Sequence, residues 1–152
     1  SMQTFAMDLF HSVIDNSVYI AQGDSSISAF GKAFHCIVLT SFNYFAFCDD
    51  FGPMNMACIV RFIEMLDSEK EMHASKKLVI RVSPGPRPLT NAVFLLGSYL
   101  ILKLNMPLID VCKAFCWIDP ALVEPYRDAT FSNPNFGLTL VDCWGGLQKG
   151  IL

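Results

Sequence analysis

Between Leu78 and Leu104 the chain reads LVIRVSPGPRPLTNAVFLLGSYLILKL, and no other stretch restricts the fold as much. The β-branched run Leu78–Val82 predicts a strand. Val82-Ser83-Pro84-Gly85-Pro86 predicts a connector, and the apolar sequence from about Leu89 to Leu104 predicts a helix. A membrane span needs roughly 20 apolar residues. The run Ala92–Leu102 is shorter and is interrupted by Gly97 and Ser98, so it predicts a helix buried in protein. A strand that feeds a loop opening onto a helix N-terminus is also a common scaffold for anions, because free N–H groups and the helix dipole converge there.

The rest of the chain supplies elements to pack around this unit. Phe5, Leu9, Phe10 and Val13 predict a short helix over Thr4–Val13. Asp15-Asn16-Ser17 predicts a turn, followed by strands at Val18–Ala21 and Phe34–Leu39. The aromatic-rich segment Ser41–Asp50 is expected in the core, and Asp49–Pro53 is expected to turn into a helix over Met54–Met72. That helix carries Ile59, Phe62, Ile63 and Leu66 on one face. Asn105-Met106-Pro107 restarts a helix to about Trp117, Asp119–Pro134 is irregular, and Phe136–Lys149 predicts the last helix. Strands alternating with helices indicate an α/β domain with a small, mainly parallel central sheet flanked by helices. Residues 1–3 are expected to be a tag remnant or flexible start, and 4–152 a single domain.

Only 16% of the residues are charged and 53% are hydrophobic, against about 25% charged in an average soluble domain. The apolar excess predicts a neighbour that covers part of the surface. A net charge of −3 provides no basic stripe for nucleic acid. The six cysteines, at 36, 48, 58, 112, 116 and 143, fall in apolar segments and are expected to be reduced core thiols of an intracellular protein.

The strongest chemical candidate is the loop itself. A cysteine-dependent phosphatase loop places Cys at the strand end and Arg six residues later. Here Arg87 has the second position, but Arg81 stands where the thiol would be. Pro84, Pro86 and Pro88 also remove N–H donors that a phosphate would need. Arg81, Ser83, Gly85 and Arg87 therefore define a degenerate phosphate loop with no nucleophile, and no catalytic residue is expected. Cys112 and Cys116 lie four apart but lack partners for a tetrahedral metal set. His11, His35 and His73 are scattered, with His35 placed among strand core residues. No cofactor and no metal are expected.

Four ordered blocks are more specific. They are Asp50-Phe51-Gly52-Pro53-Met54-Asn55, Asn91-Ala92-Val93-Phe94-Leu95-Leu96-Gly97, Tyr126-Arg127-Asp128-Ala129-Thr130-Phe131 and Leu138-Thr139-Leu140-Val141-Asp142-Cys143. Together they closely resemble the N-terminal half of the cell-division-cycle-fourteen family of dual-specificity phosphatases, from about Val13 to Ile151. The resemblance implies a dual-specificity-phosphatase-like fold and two such domains in tandem. The second carries the catalytic Cys, Arg and general-acid Asp. The first lacks a working centre and helps to shape an acidic substrate groove at the junction. Phosphoproteins, with phosphoserine followed by proline favoured, are the implied substrates, and the catalytic domain of the same chain is the implied partner.

On that resemblance, Asp15, Asp119, Glu124, Arg127 and Asp128 are groove or domain-junction candidates. Relatives often carry an acidic residue in the loop where this chain has Gly85. Neither membrane nor nucleic acid is an expected partner. The implied locations are nucleus, centrosome or cytoplasm. A free-standing pseudophosphatase that binds phosphopeptides or proteins is the alternative.

Overall fold

The computed structural model describes residues 9–23, 31–38, 56–118, 126–127, 137–138 and 140–150. Strands β1 (Leu9–Ile14), β2 (Val18–Gln22) and β3 (Phe34–Val38) precede helix α1 (Met56–Met72). Strand β4 (Lys77–Val82) then leads to helix α2 (Pro86–Leu102), which is followed by α3 (Leu108–Ala114). The short strands β5 (Tyr126–Arg127) and β6 (Gly137–Leu138) and the helix α4 (Leu140–Gly150) come last. The main sheet has the order β1-β2-β4-β3. β1 and β2 are antiparallel, whereas β4 runs parallel to both β2 and β3. This is the mainly parallel α/β sheet that the alternating pattern predicts.

β4 lies between two parallel neighbours and buries Leu78, Val79, Ile80 and Val82, which accounts for its unbroken β-branched sequence. α2 is buried at nearly every position from Leu89 to Ile101, as a helix that is apolar on all sides must be. α1 is amphipathic and turns Cys58, Ile59, Phe62 and Leu66 inward. α2 and α4 approach very closely at Gly97, where an added Cβ would overlap the Trp144 indole ring. The Trp144 Nε1–H donates to the Phe94 carbonyl at 3.2 Å. The same carbonyl accepts the Ser98 hydroxyl at 2.7 Å.

Several boundaries depart from the sequence expectations. The helix predicted over Thr4–Val13 is a strand in its described part, Leu9–Ile14. Leu9 and Val13 are buried four residues apart, which imitates one helical face. The deciding signal is Asp15-Asn16-Ser17. Asn16 adopts a left-handed φ of 55° and Ser17 N–H closes onto Ile14 O at 3.0 Å, making a hairpin with β2. α2 starts at Pro86 rather than at about Leu89. Prolines are compatible with a first helical turn, whose N–H groups have no intrahelical acceptor.

α2 ends over Asn105 (φ 54°), with Met106 N–H bonded back to Leu100 O at 2.9 Å. Pro107 is therefore extended and caps α3, which is shorter than the expected Asn105–Trp117 helix. The last helix begins at Leu140, because Gly137-Leu138 pairs with Tyr126-Arg127. Cys116 is exposed, not in the core; Cys58 is buried, and Cys36, Cys112 and Cys143 are half-buried. The expectations for Ser41–Asp50 and for the turn at Asp49–Pro53 lie outside the described residues. No described helix is long and apolar enough to cross a membrane.

Candidate functional site

Parallel pairing sets Gln22 beside Val82, so the carboxyl ends of β2 and β4 lie together. Open α/β sheets bind ligands at that edge. The connector from β4 to α2 is Ser83-Pro84-Gly85, and Gly85 has a φ of 111° that only glycine adopts readily. Gln22 reaches into this connector. Its side-chain amide nitrogen donates to Ser83 O at 2.7 Å and to Gly85 O at 2.8 Å. Two carbonyl acceptors fix the amide orientation, since a carbonyl oxygen of Gln22 could not face both.

The loop therefore turns carbonyl oxygens toward its neighbour, the reverse of the N–H cradle that holds a phosphate. The start of α2 is equally depleted. Pro86 and Pro88 have no N–H, Leu89 N–H is directed to Gly85 O at 3.4 Å, and the Thr90 hydroxyl closes on Pro86 O at 2.6 Å. The N-cap residue is Gly85, which has no side chain to cap the helix.

Arg81 lies within β4, opposite Ala21 and Val38, before the loop begins. Arg87 is exposed on the first turn of α2. The structure thus groups Ser83, Gly85 and Arg87 at one edge, with Arg81 leading into it. The loop reading missed Gln22, which sits on a different strand. Two of the described thiols, Cys36 and Cys143, are shifted away from the thiolate form. Burial pushes the Cys36 thiol up, and the positive charge of Arg81 only partly offsets this. Burial and the Asp142 carboxylate push Cys143 up to about 11. Activated cysteines need the opposite shift.

Asp15 is exposed in the β1–β2 turn, at the amino end of β2. The loop lies beyond the carboxyl end of the same strand, roughly 16 Å away at 3.3 Å per residue. Asp15 and the loop therefore do not share one pocket. Arg127 belongs to β5, while Asp119, Glu124 and Asp128 lie outside the described residues.

A second cluster was not anticipated. His35 on β3 meets Glu69 and His73 at the C-terminal end of α1, and their donor atoms lie within 4.8 Å of one another. His35 Nε2 is 3.0 Å and His73 Nε2 3.4 Å from Glu69 Oε2. The i,i+4 spacing of Glu69 and His73 was the one legible sign.

The family model described as "Dual specificity protein phosphatase, N-terminal half" matches residues 12–150. The chain is similar to the mouse dual specificity protein phosphatase CDC14A, with 33% identity over 110 residues. That match covers 71% of this chain and 18% of the relative. The human CDC14A protein is 32% identical over 110 residues, again 71% of this chain and 18% of the relative. The Saccharomyces cerevisiae tyrosine-protein phosphatase CDC14 is 32% identical over 117 residues, 72% of this chain and 21% of the relative. The chain thus spans about a fifth of the length of these relatives.

Proposed function

Given that the chain belongs to the family of N-terminal halves of dual specificity protein phosphatases, we propose that it is the non-catalytic, substrate-shaping half of a two-domain enzyme. The observation that carries this reading is the loop after β4, where Gln22 binds the carbonyls of Ser83 and Gly85. A loop that presents acceptors repels the oxyanion of a phosphate ester and has no thiolate to attack it. Arg81, at the position of the missing thiol, cannot serve as nucleophile because its guanidinium stays protonated.

In this reading the strand-loop-helix unit keeps a structural role, and catalysis belongs to a partner domain of the same protein. The substrates are phosphoproteins carrying phosphoserine, phosphothreonine or phosphotyrosine, with phosphoserine-proline preferred. Asp119, Glu124, Arg127 and Asp128 would line the junction groove. Asp15, at the other end of β2, would act at the junction away from the retired loop.

Hydrolysis of an aryl phosphate tests the proposal. The present chain should show no turnover above buffer, while a longer protein that includes the partner domain should be active. Turnover by the present chain that disappears on substitution of one cysteine would overturn the reading. An inactive longer protein that still binds phosphopeptides would favour the free-standing binding module instead.

A further inference from the structure

We infer that His35, Glu69 and His73 form a binding site for a first-row divalent cation, with zinc the best match. Two imidazoles and one carboxylate are a donor set that suits zinc. The site joins two elements. His35 comes from β3, which among the described residues stands at the edge of the main sheet and pairs with β4 alone. Glu69 and His73 come from successive turns at the end of α1, where His73 N–H still bonds to Glu69 O at 3.0 Å. Among the described residues, this is the one group of three such side chains whose donor atoms converge.

The spacing fits an ion, and the unbonded Glu69 Oε2 favours one over a hydrogen-bonded triad. With bonds of about 2.0–2.2 Å, neighbouring ligands of tetrahedral zinc stand about 3.3–3.4 Å apart. The Nε2 atoms of His35 and His73 are 3.0 and 3.4 Å from Glu69 Oε2. Those lengths would also allow hydrogen bonds, yet Glu69 Oε2 is sealed from solvent and receives none. The nitrogens are near enough, but their N–H directions miss the oxygen.

A cation between the three atoms would resolve that arrangement, since each nitrogen would offer a lone pair rather than a proton. The two rings are stacked at 3.6 Å and 19°. The near-parallel rings do not aim both in-plane lone pairs at one point, so binding an ion requires them to unstack by rotation about their broad χ2 torsions. The side chains of His35, Glu69 and His73 keep 31%, 25% and 25% of their surface exposed, which leaves room for a water as fourth ligand. The ion would clip the edge strand to α1, a role independent of the retired loop.

Titration of this chain with Zn2+, followed by calorimetry and by imidazole nitrogen NMR, tests the site under reducing conditions. One ion should bind per chain and shift the Nε2 signals of His35 and His73 while leaving His11, stacked on Trp117, unchanged. Glu69→Gln should weaken binding by about 10–100-fold or more. Absence of binding would overturn the inference, as would binding that leaves both histidine signals in place and therefore uses the cysteines. Wild-type affinity in Glu69→Gln would overturn it too. The NMR readout on the unmodified chain decides the matter even if the variant fails to fold.

Discussion

Changing the side chain of Gln22 tests the polarity of the loop directly. In the folded chain its amide serves two carbonyls, at 2.7 and 2.8 Å. A neutral hydrogen bond contributes about 0.5–1.5 kcal/mol net, so Gln22→Ala should cost about 1–3 kcal/mol. Gln22→Glu is nearly isosteric but replaces the donor by an acceptor. Ionised, it sets a carboxylate against two carbonyl oxygens, and at pH 7 it should cost at least as much as alanine. Protonated, it regains one donor. Its folded-state pKa must therefore lie above the unfolded value of about 4.3.

The sign follows from linkage. A raised folded pKa gives stability that is fully present below the unfolded value and is lost as pH rises through the folded value. The deficit of Gln22→Glu relative to wild type should thus be smallest in acid and grow to a plateau toward neutral pH. Urea unfolding of both proteins across that range measures it, and groups common to both cancel in the difference. If Gln22→Glu matches or exceeds wild type at pH 7, loop N–H groups face residue 22. The loop would then be an anion cradle, and the reasoning for an inactive centre would fail.

Gly97→Ala gains about 1 kcal/mol of helix propensity, but its Cβ would overlap Trp144. Overpacking costs about 1–3 kcal/mol, and loss of the bond to Phe94 O about 1 more. A net destabilisation of about 1–3 kcal/mol is expected, largely recovered in the double variant with Trp144→Leu; a single variant as stable as wild type in urea unfolding would refute the close approach. Tyr99→Phe addresses the end of α2, where the phenol donates to Asp67 at 2.6 Å and Lys103 pairs with the same carboxylate at 2.9 Å. Burial alone would raise the Asp67 pKa, but the hydrogen bonds from Tyr99 and Lys103, with the charges of Lys103 and Lys70, bring it below its ordinary value. Because Asp67 is one-third exposed, the substitution should cost about 1 kcal/mol. That cost should hold at neutral pH and shrink as pH falls through the lowered Asp67 value. An unmoved Asp67 midpoint in a carboxyl NMR titration would contradict the assignment.

The elements most legible in the sequence are those whose environment is uniform along their length. β4 is buried on both sides and α2 all round, so each is a plain apolar run. α1 shows its buried face through Ile59, Phe62 and Leu66. β1 is less legible because Leu9 and Val13 fit a helical face, while its strand state depends on the hairpin with β2. The loop's lack of a thiol and its shortage of N–H donors were visible in Arg81 and the three prolines. Its inverted polarity was not, because the donor lies 61 residues from Ser83 and meets it only through parallel pairing. The His35 cluster was hidden for the same reason, since a strand and a helix bring its members together.

The slot at Gly97 also bears on how the domain is made. Trp144 lies in α4, the last described element, 47 residues after Gly97 in the order of synthesis. While a ribosome is still producing the segment between them, the Gly97 side of α2 has no indole to close it. Domains generally fold as units during translation, so a chain lacking α4 would leave the Gly97 side of this nearly all-apolar helix without its indole cover. Closure of that side thus waits on one tryptophan.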